Sequence, residues 1–156
     1  MDLEFDERLL LAPGVHDATL ENVKEKFGAF QKSDRRSKLF ARLGDFVDAA
    51  RRTGVASHLL IDGSFVMACV DEPDDIDIVL VLPVDWDTEA DLPPYKYNMV
   101  STRAIKRTFG FDVFVVESGS IEETKWLDYF GQVKPDWCER FGWPVDLRKG
   151  IVRITL

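Results

Sequence analysis

Two short segments decide the fold: Leu60–Ser64, which reads LIDGS, and Asp75–Ile78, which reads DIDI and follows after ten residues. The run Ile76–Leu82 is rich in Val, Ile and Leu, as expected of a buried central strand. Because successive side chains of a strand alternate between its faces, Asp75 and Asp77 are predicted to point the same way. Two carboxylates at the start of an apolar strand repel each other, so the pattern favours a site that holds divalent cations.

Helix and strand patterns alternate outward from these segments. The sequence predicts helices over 20–27, with Thr19 as cap and Gly28 as stop, from Ser33 to Thr53, over 96–109 and over 121–130. It predicts further strands over 57–62, 111–116 and 150–156, an irregular arm over 1–18 and an aromatic loop over 135–144. We therefore expect a single domain over 1–156 of the α/β (α+β) class, with a mixed sheet of about four or five strands flanked by helices.

The composition excludes several classes of protein. A chain of 156 residues with 46% apolar and 12% aromatic residues buries a core and is not intrinsically disordered. The longest nearly apolar run, Ile78–Val84, is too short to span a bilayer, and no secretory signal is visible. Cys69 and Cys138 stand alone, which indicates neither a zinc site nor a disulfide framework. We expect a cytoplasmic protein without a membrane partner.

The charge is unevenly distributed along the chain. The formal net charge is −8, so any nucleic-acid contact would have to be local, and such binding stays open. Residues 71–91 carry nine carboxylates and no Lys or Arg, whereas residues 96–107 carry four basic and no acidic side chains. These runs are either solvated faces or a metal site beside a basic wall that holds a polyphosphate.

Gly63, Ser64 and Asp112 complete the candidate site. A Gly after a strand lets the backbone approach a ligand, and Ser64 is predicted to cap a short helix whose free N–H groups bind phosphate. Asp112 is a third acid inside an apolar strand, Phe111–Val116. If that strand lies beside Ile76–Leu82, three carboxylates converge.

This combination resembles the polymerase-beta-like nucleotidyltransferase superfamily, and most closely its small "minimal" members. The resemblance covers about 55 residues, from Leu60 to Phe114. It implies that Asp75 and Asp77 hold Mg²⁺ (or Mn²⁺), that Asp112 completes the metal site and helps activate an acceptor hydroxyl, and that Gly63 and Ser64 bind the terminal phosphates of an NTP.

Basic side chains of the predicted helix 96–109 are the further candidates for phosphate binding. Arg103 and either Lys106 or Arg107 lie on one face of that helix, which leads into the Asp112 strand. Many members of the superfamily carry an Arg after Gly-Ser, whereas this chain has the sequence FVMA at 65–68. Another base would therefore have to supply the positive charge.

Simpler interpretations remain open for each feature. Asp75 and Asp77 suit a solvated acidic loop, Asp112 a strand edge facing water, and the basic residues an ordinary exposed helix face. A sugar-nucleotide glycosyltransferase would also use an Asp-x-Asp motif, but it would leave Gly63-Ser64 unexplained. A calcium loop counted from Asp71 fails, because its sixth position is Ile76 where Gly is needed.

The expected function is Mg²⁺-dependent transfer of a nucleoside monophosphate from an NTP, with ATP as the first candidate, to a hydroxyl of a protein, an RNA or a small molecule. The alternative is a catalytically inactive nucleotidyltransferase-like module that binds a nucleotide or a protein partner. Because many minimal members occur in two-component pairs, that partner would be encoded nearby, as in a toxin–antitoxin system.

Overall fold

A five-stranded mixed β-sheet organises the described part of the chain. The computed structural model describes residues 3–156. The strands are β1 (Gly14–Asp17), β2 (His58–Asp62), β3 (Asp77–Leu82), β4 (Val113–Glu117) and β5 (Gly150–Thr155), in the spatial order β1-β5-β2-β3-β4. The outer pairs β1–β5 and β3–β4 are parallel, and β2 runs antiparallel to both of its neighbours. This confirms the predicted α+β class with a mixed sheet.

Six helices within residues 3–156 flank the sheet. They are α1 (Leu20–Phe27), α2 (Arg35–Thr53), α3 (Pro94–Val100), α4 (Thr102–Phe109), α5 (Ile121–Phe130) and α6 (Pro135–Phe141). Thr19 caps α1 in a reciprocal capping box, and Gly28 follows its last residue, as predicted. In the described range, no helix is both long and apolar enough to cross a membrane.

The two faces of the sheet bury different clusters. The larger cluster joins Ile78 and Leu80 of β3 to residues of α1, α2 and α4, including Phe46 and Ile105. The smaller cluster packs Val79 and Val81, with Leu60, Val116 and Ile151, against α5. Burial of each such side chain stabilises the fold by about 1.5–3 kcal/mol. Since Asp77 alternates with Ile78, it lies on the α5 face.

Three of the sequence-based element assignments are wrong. The predicted arm contains β1, and its Leu10 and Leu11 are buried; residues 1 and 2 of that arm lie outside the described part. The predicted helix 96–109 is broken at Ser101, where the backbone is extended. The Ser101 hydroxyl caps α4 by accepting a hydrogen bond from the Ala104 N–H. The predicted aromatic loop contains α6, which begins at Pro135, a residue that is favourable in the first turn of a helix.

The start of α2 also differs from the prediction. Asp34, not Ser33, occupies the capping position, and the Ser33 hydroxyl accepts from the Arg35 N–H at 3.3 Å. The helix ends at Thr53 and is followed by Gly54, which has a left-handed backbone (φ 65°), as the Thr53-Gly54 stop predicted.

Candidate functional site

Three carboxylates form a row across neighbouring strands at one end of the sheet. Asp62 of β2 is the pairing partner of Asp77 of β3. Parallel pairing of Ile78 with Val113 places Asp112, the residue before β4, next to Asp77 on its other side. Residues opposite each other in a ladder point to the same face, so the row faces α5. The sheet thereby brings Asp77 and Asp112 together, on one face.

Asp75 lies just before the strand and joins the same site. β3 begins at Asp77, so the predicted strand starts one residue too early. Asp75 is half-buried, and its Oδ1 accepts from the Ile76 N–H at 2.8 Å. Burial raises the pKa of Asp75, and Asp77 adds to the effect, whereas the Ile76 N–H, Arg42 and Lys106 oppose it.

Gly63 holds the backbone against Asp77. Its φ of 84° is in the region that favours glycine, and a Cβ built there would lie 2.8 Å from Asp77 Oδ2. Ser64 follows as the first residue of a single 3-10 turn, Ser64–Val66. The turn is capped by Gly63 without a side-chain hydrogen bond, so the prediction that Ser64 caps a helix is wrong. Gly63 and Ser64 nevertheless line one cleft with Asp75 and Asp77.

This acidic cleft has a volume of about 280 Å³ and lies between the acid row and the α5–α6 connection. It is lined by Asp62, Gly63, Ser64, Met67, Asp74, Asp75, Asp77, Tyr129, Gln132, Val133, Lys134, Pro135, Trp137 and Lys149. The cleft therefore combines carboxylates, a close backbone approach and cations, which is a set suited to a metal-bound phosphate.

Asp62 and Lys149 form a buried ion pair that the sequence-based prediction missed. Lys149 donates to Asp62 and also to the Phe130 carbonyl, at 3.1 Å. Burial raises the pKa of Asp62 to about 7, while Lys149 opposes the shift. The available signal was weak: an acid that ends an apolar strand, and a lysine that precedes the last strand.

Arg36 fixes the segment that follows Gly63. Its guanidinium is buried and pairs with no carboxylate within residues 3–156, and burial lowers its pKa to about 10. It donates to the carbonyl oxygens of Phe27 (3.1 Å), Ser64 (3.5 Å), Phe65 (2.6 Å), Met67 (2.8 Å) and Val70 (2.6 Å). Only its Nε lacks a partner among the buried side-chain atoms described. Helix α2 thus positions the Ser64 turn through one side chain.

The predicted phosphate-binding bases lie apart from Gly63 and Ser64. Lys106 donates to Asp112 Oδ2 at 3.2 Å, and Asp112 is 71% exposed. Arg103, Lys106 and Arg107 line a basic depression together with Thr102, Asp112, Val113 and Phe114. The structure therefore places these bases beside Asp112, whereas Lys134 and Lys149 line the cleft that contains Gly63 and Ser64.

An aromatic groove of about 590 Å³ runs from the acid row along α5. It is lined by Asp77, Asp112, Phe114, Glu122, Lys125, Trp126, Tyr129, Phe130 and Lys134. The Phe114 and Trp126 rings stack with centroids 4.1 Å apart. The groove shares Asp77, Tyr129 and Lys134 with the acidic cleft. The sequence alone does not reveal this groove, because the exposure of the aromatic residues of α5 depends on how α5 lies on the sheet.

The donor chemistry of the acids fits Mg²⁺ or Mn²⁺. Within residues 3–156, no three His, Cys, Asp or Glu side chains already surround a point that would hold an ion. Mg²⁺ in proteins is usually bound through one or two carboxylates plus the phosphates of the substrate. Asp75 and Asp77, which line the acidic cleft together, match that requirement, and Asp112 lies on the other side of Asp77.

Comparison with known proteins places the chain in a family. Residues 3–155 match the model described as a family of unknown function, DUF6932. The chain belongs to this family. No curated protein and no solved structure matches this DUF6932 chain. The family description names no nucleotidyltransferase, so the resemblance stated from the motifs stays a prediction for this member of DUF6932.

Proposed function

We propose that this protein transfers a nucleoside monophosphate from an NTP, with ATP as the first candidate, to a hydroxyl acceptor, using Mg²⁺ or Mn²⁺. The observation that carries the proposal is the row of Asp77 and Asp112 on adjacent strands, with the Gly63 backbone packed against Asp77 in the same cleft. Asp77 and Asp112 lie at the starts of apolar strands, and Gly63 leaves space for the Asp77 carboxylate. A purely structural role does not account for this arrangement.

Asp75 and Asp77 are the residues that would hold the metal. When bound there, the ion would supply charge neutralisation for the phosphates and lower the pKa of a bound hydroxyl. Gly63 and Ser64 line the same cleft, where they would contact the phosphates, and the exposed Lys134 supplies a cation there. These groups bind and orient the triphosphate, which is the main contribution of a protein to phosphoryl transfer.

Asp112 is the residue that accepts the proton of the acceptor hydroxyl. The acceptor oxygen forms a bond to the α-phosphorus of the NTP, and the bond between that phosphorus and the oxygen bridging to the β-phosphate breaks. Pyrophosphate leaves with the electron pair. The exposure of Asp112 beside the buried end of β4 leaves room for an acceptor to approach it.

A catalytically inactive nucleotide-binding module is the second candidate. The ion pair between Lys106 and Asp112 favours this inactive module, because the Asp112 carboxylate that would accept the proton is already bound to a cation. A protein partner encoded nearby is part of this alternative. The two candidates differ in whether any labelled nucleotide becomes covalently attached to an acceptor.

Transfer of α-labelled ATP to protein, RNA and small-molecule acceptors tests the catalytic proposal. Asp77→Asn keeps the size of the side chain and removes its charge, so we expect transfer to fall by ~10² or more. Asp85→Asn is the matched control, since Asp85 is exposed beyond the opposite end of β3 and should leave transfer unchanged. Equal transfer by wild type and Asp77→Asn would refute the catalytic role of Asp77, and absence of transfer with every acceptor would favour the module.

A further inference from the structure

The aromatic groove is a preformed stacking platform. Phe114 is 43% exposed and Tyr129 is 53% exposed, although both lie beside a buried cluster. Trp126 stacks on Phe114 and meets Tyr129 edge to ring at 5.8 Å, so the rings hold one another in place. The volume of about 590 Å³ is typical of a site for a small ligand or one nucleotide unit. A planar base would gain stacking contacts there without rearranging the protein.

The groove and the acidic cleft adjoin along Asp77, Tyr129 and Lys134, with the cleft on the β2 side of Asp77 and the groove on the β4 side. The cleft contains Gly63 and Ser64, and the groove contains Asp112. A transfer reaction needs two binding sites whose reacting atoms meet at one point. With the triphosphate in the cleft, the groove is the place from which an acceptor hydroxyl reaches Asp112.

Basic side chains line both the groove and the basic depression beside Asp112. Lys125 and Lys134 line the groove itself. The basic depression, with Arg103 and Arg107, shares Asp112 and Phe114 with the groove. Among residues 3–156, neither Arg103 nor Arg107 makes an ion pair. Because the net charge of the chain is −8, a polyanion is repelled by most of the surface. The basic depression therefore confines polyanion binding to this one place.

We propose that the aromatic groove and the basic depression bind the 3′-terminal end of a single-stranded nucleic acid, with the terminal base on Phe114 and Tyr129 and the 3′-hydroxyl at Asp112. The direction of the strand rests on the proposed transfer function, whereas binding itself does not. The strand end supplies a base for the aromatic groove, a hydroxyl for Asp112 and phosphates for the basic depression. A tyrosine of a partner protein supplies a ring and a hydroxyl but leaves Arg103 and Arg107 without a role.

Fluorescence anisotropy with 5′-labelled eight-nucleotide oligomers, as RNA and as DNA, tests the site without turnover. Phe114→Ala and Tyr129→Ala should each weaken binding by roughly 5- to 150-fold, the range expected for loss of one stacked base. Tyr97→Ala is the control, because Tyr97 is a 58% exposed aromatic residue on α3, away from the groove. Binding of either oligomer supports the proposal, and the tighter one identifies the acceptor class.

Charge and direction are tested with the same probe. Arg107→Glu should weaken binding and flatten its salt dependence, whereas Arg52→Glu, in the last turn of α2 as Arg107 is in the last turn of α4, should do neither. A phosphate on the 3′ end should weaken binding because it meets Asp77 and Asp112, and a 5′ phosphate should not.

Separate outcomes decide the two proposals. If the oligomers do not bind, bind equally to Phe114→Ala and Tyr97→Ala, or ignore the 3′ phosphate, the strand-end proposal is overturned even when ATP binds with Mn²⁺. If the oligomers bind as expected but no labelled nucleotide is transferred to them or to any other acceptor, the groove is a strand-binding site and the transfer function fails.

Discussion

Gly63 is in direct contact with Asp77 at the centre of the site. Gly63→Ala forces a side chain into a backbone conformation that is essentially restricted to glycine (φ 84°, ψ −169°), at a cost of about 1–3 kcal/mol, and also displaces the Asp77 carboxylate. Gly119 has a similar φ of 79° and open space around it. We expect both Gly63→Ala and Gly119→Ala to lower the free energy of unfolding, Gly63→Ala by more because only its Cβ meets Asp77, and we expect weaker Mn²⁺ binding in Gly63→Ala alone. Urea denaturation and Mn²⁺ titration measure the two effects, and unchanged Mn²⁺ binding by Gly63→Ala would contradict the account.

Lys149 neutralises a buried acid next to the site. Lys149→Met leaves Asp62 buried without its cation, so we expect a loss of about 3–5 kcal/mol in the free energy of unfolding at pH 8. The exposed Lys134 lines the same cleft, and Lys134→Met should change stability little.

The loss in Lys149→Met should depend on pH. Burial raises the pKa of Asp62 to about 7 even with Lys149 present, and removal of that cation raises the pKa further. A carboxyl whose pKa is higher when folded binds a proton on folding, so the stability of both proteins falls as pH rises above about 4. In the wild type this fall ends near pH 7, whereas in Lys149→Met it continues to higher pH. Urea denaturation between pH 5 and 8 should show a smaller loss at pH 5; an equal loss throughout would argue against a buried charged Asp62.

At the level of single residues, the sequence was informative where the signal was local. Asp75, Asp77 and Asp112 stand out as acids in apolar runs, and Gly63 as a glycine at a strand end. The Asp62–Lys149 pair was not predictable, because the two residues are separated by 87 positions and meet only when β2 pairs with β5.

Helix α2 and the Ser64–Val70 segment are joined by Arg36. Arg36→Met would leave several buried carbonyl oxygens unpaired, and we expect a loss on the order of 3 kcal/mol or more, with faster hydrogen exchange at the Met67 and Val70 amides. The neighbouring Arg35 makes an exposed ion pair with Asp74 at 3.0 Å, so Arg35→Met should cost about 1 kcal/mol or less.

Two measurements check this role of Arg36. Urea denaturation compares the two variants, and hydrogen exchange localises the change. Arg36→Lys keeps the charge and one donor nitrogen, so it should retain more stability than Arg36→Met and supplies a folded protein for exchange. Uniform exchange across the chain in Arg36→Lys would contradict a role centred on this segment.

At the level of elements, strong periodicity and clear stops made α1, α5 and the three central strands predictable. β1 was missed because it is a four-residue edge strand, mostly exposed, that is stabilised by pairing with β5 rather than by its own pattern. The break at Ser101 was missed because α3 and α4 continue the same polar pattern, and only the extended backbone at Ser101 separates them.

For the whole molecule, the fold brings acidic and basic side chains from separate parts of the sequence together at one end of the sheet. The acids gather at the ends of β2 and β3, and bases of α4 and of the α5–α6 connection lie around Asp112 and Asp77. Composition alone did not choose between a metal site and solvated faces. The sheet order, which brings β3 between β2 and β4, is what turns separate sequence features into one site.

Calorimetric titration of ATP, with and without Mn²⁺, tests the central claim that Asp75 and Asp77 hold a metal-bound nucleotide. The account predicts ATP binding by the wild type that requires Mn²⁺ and is lost in the double variant Asp75→Asn/Asp77→Asn, while Asp85→Asn binds as the wild type does. ATP binding that is the same without Mn²⁺, or that persists unchanged in the double variant, would contradict it.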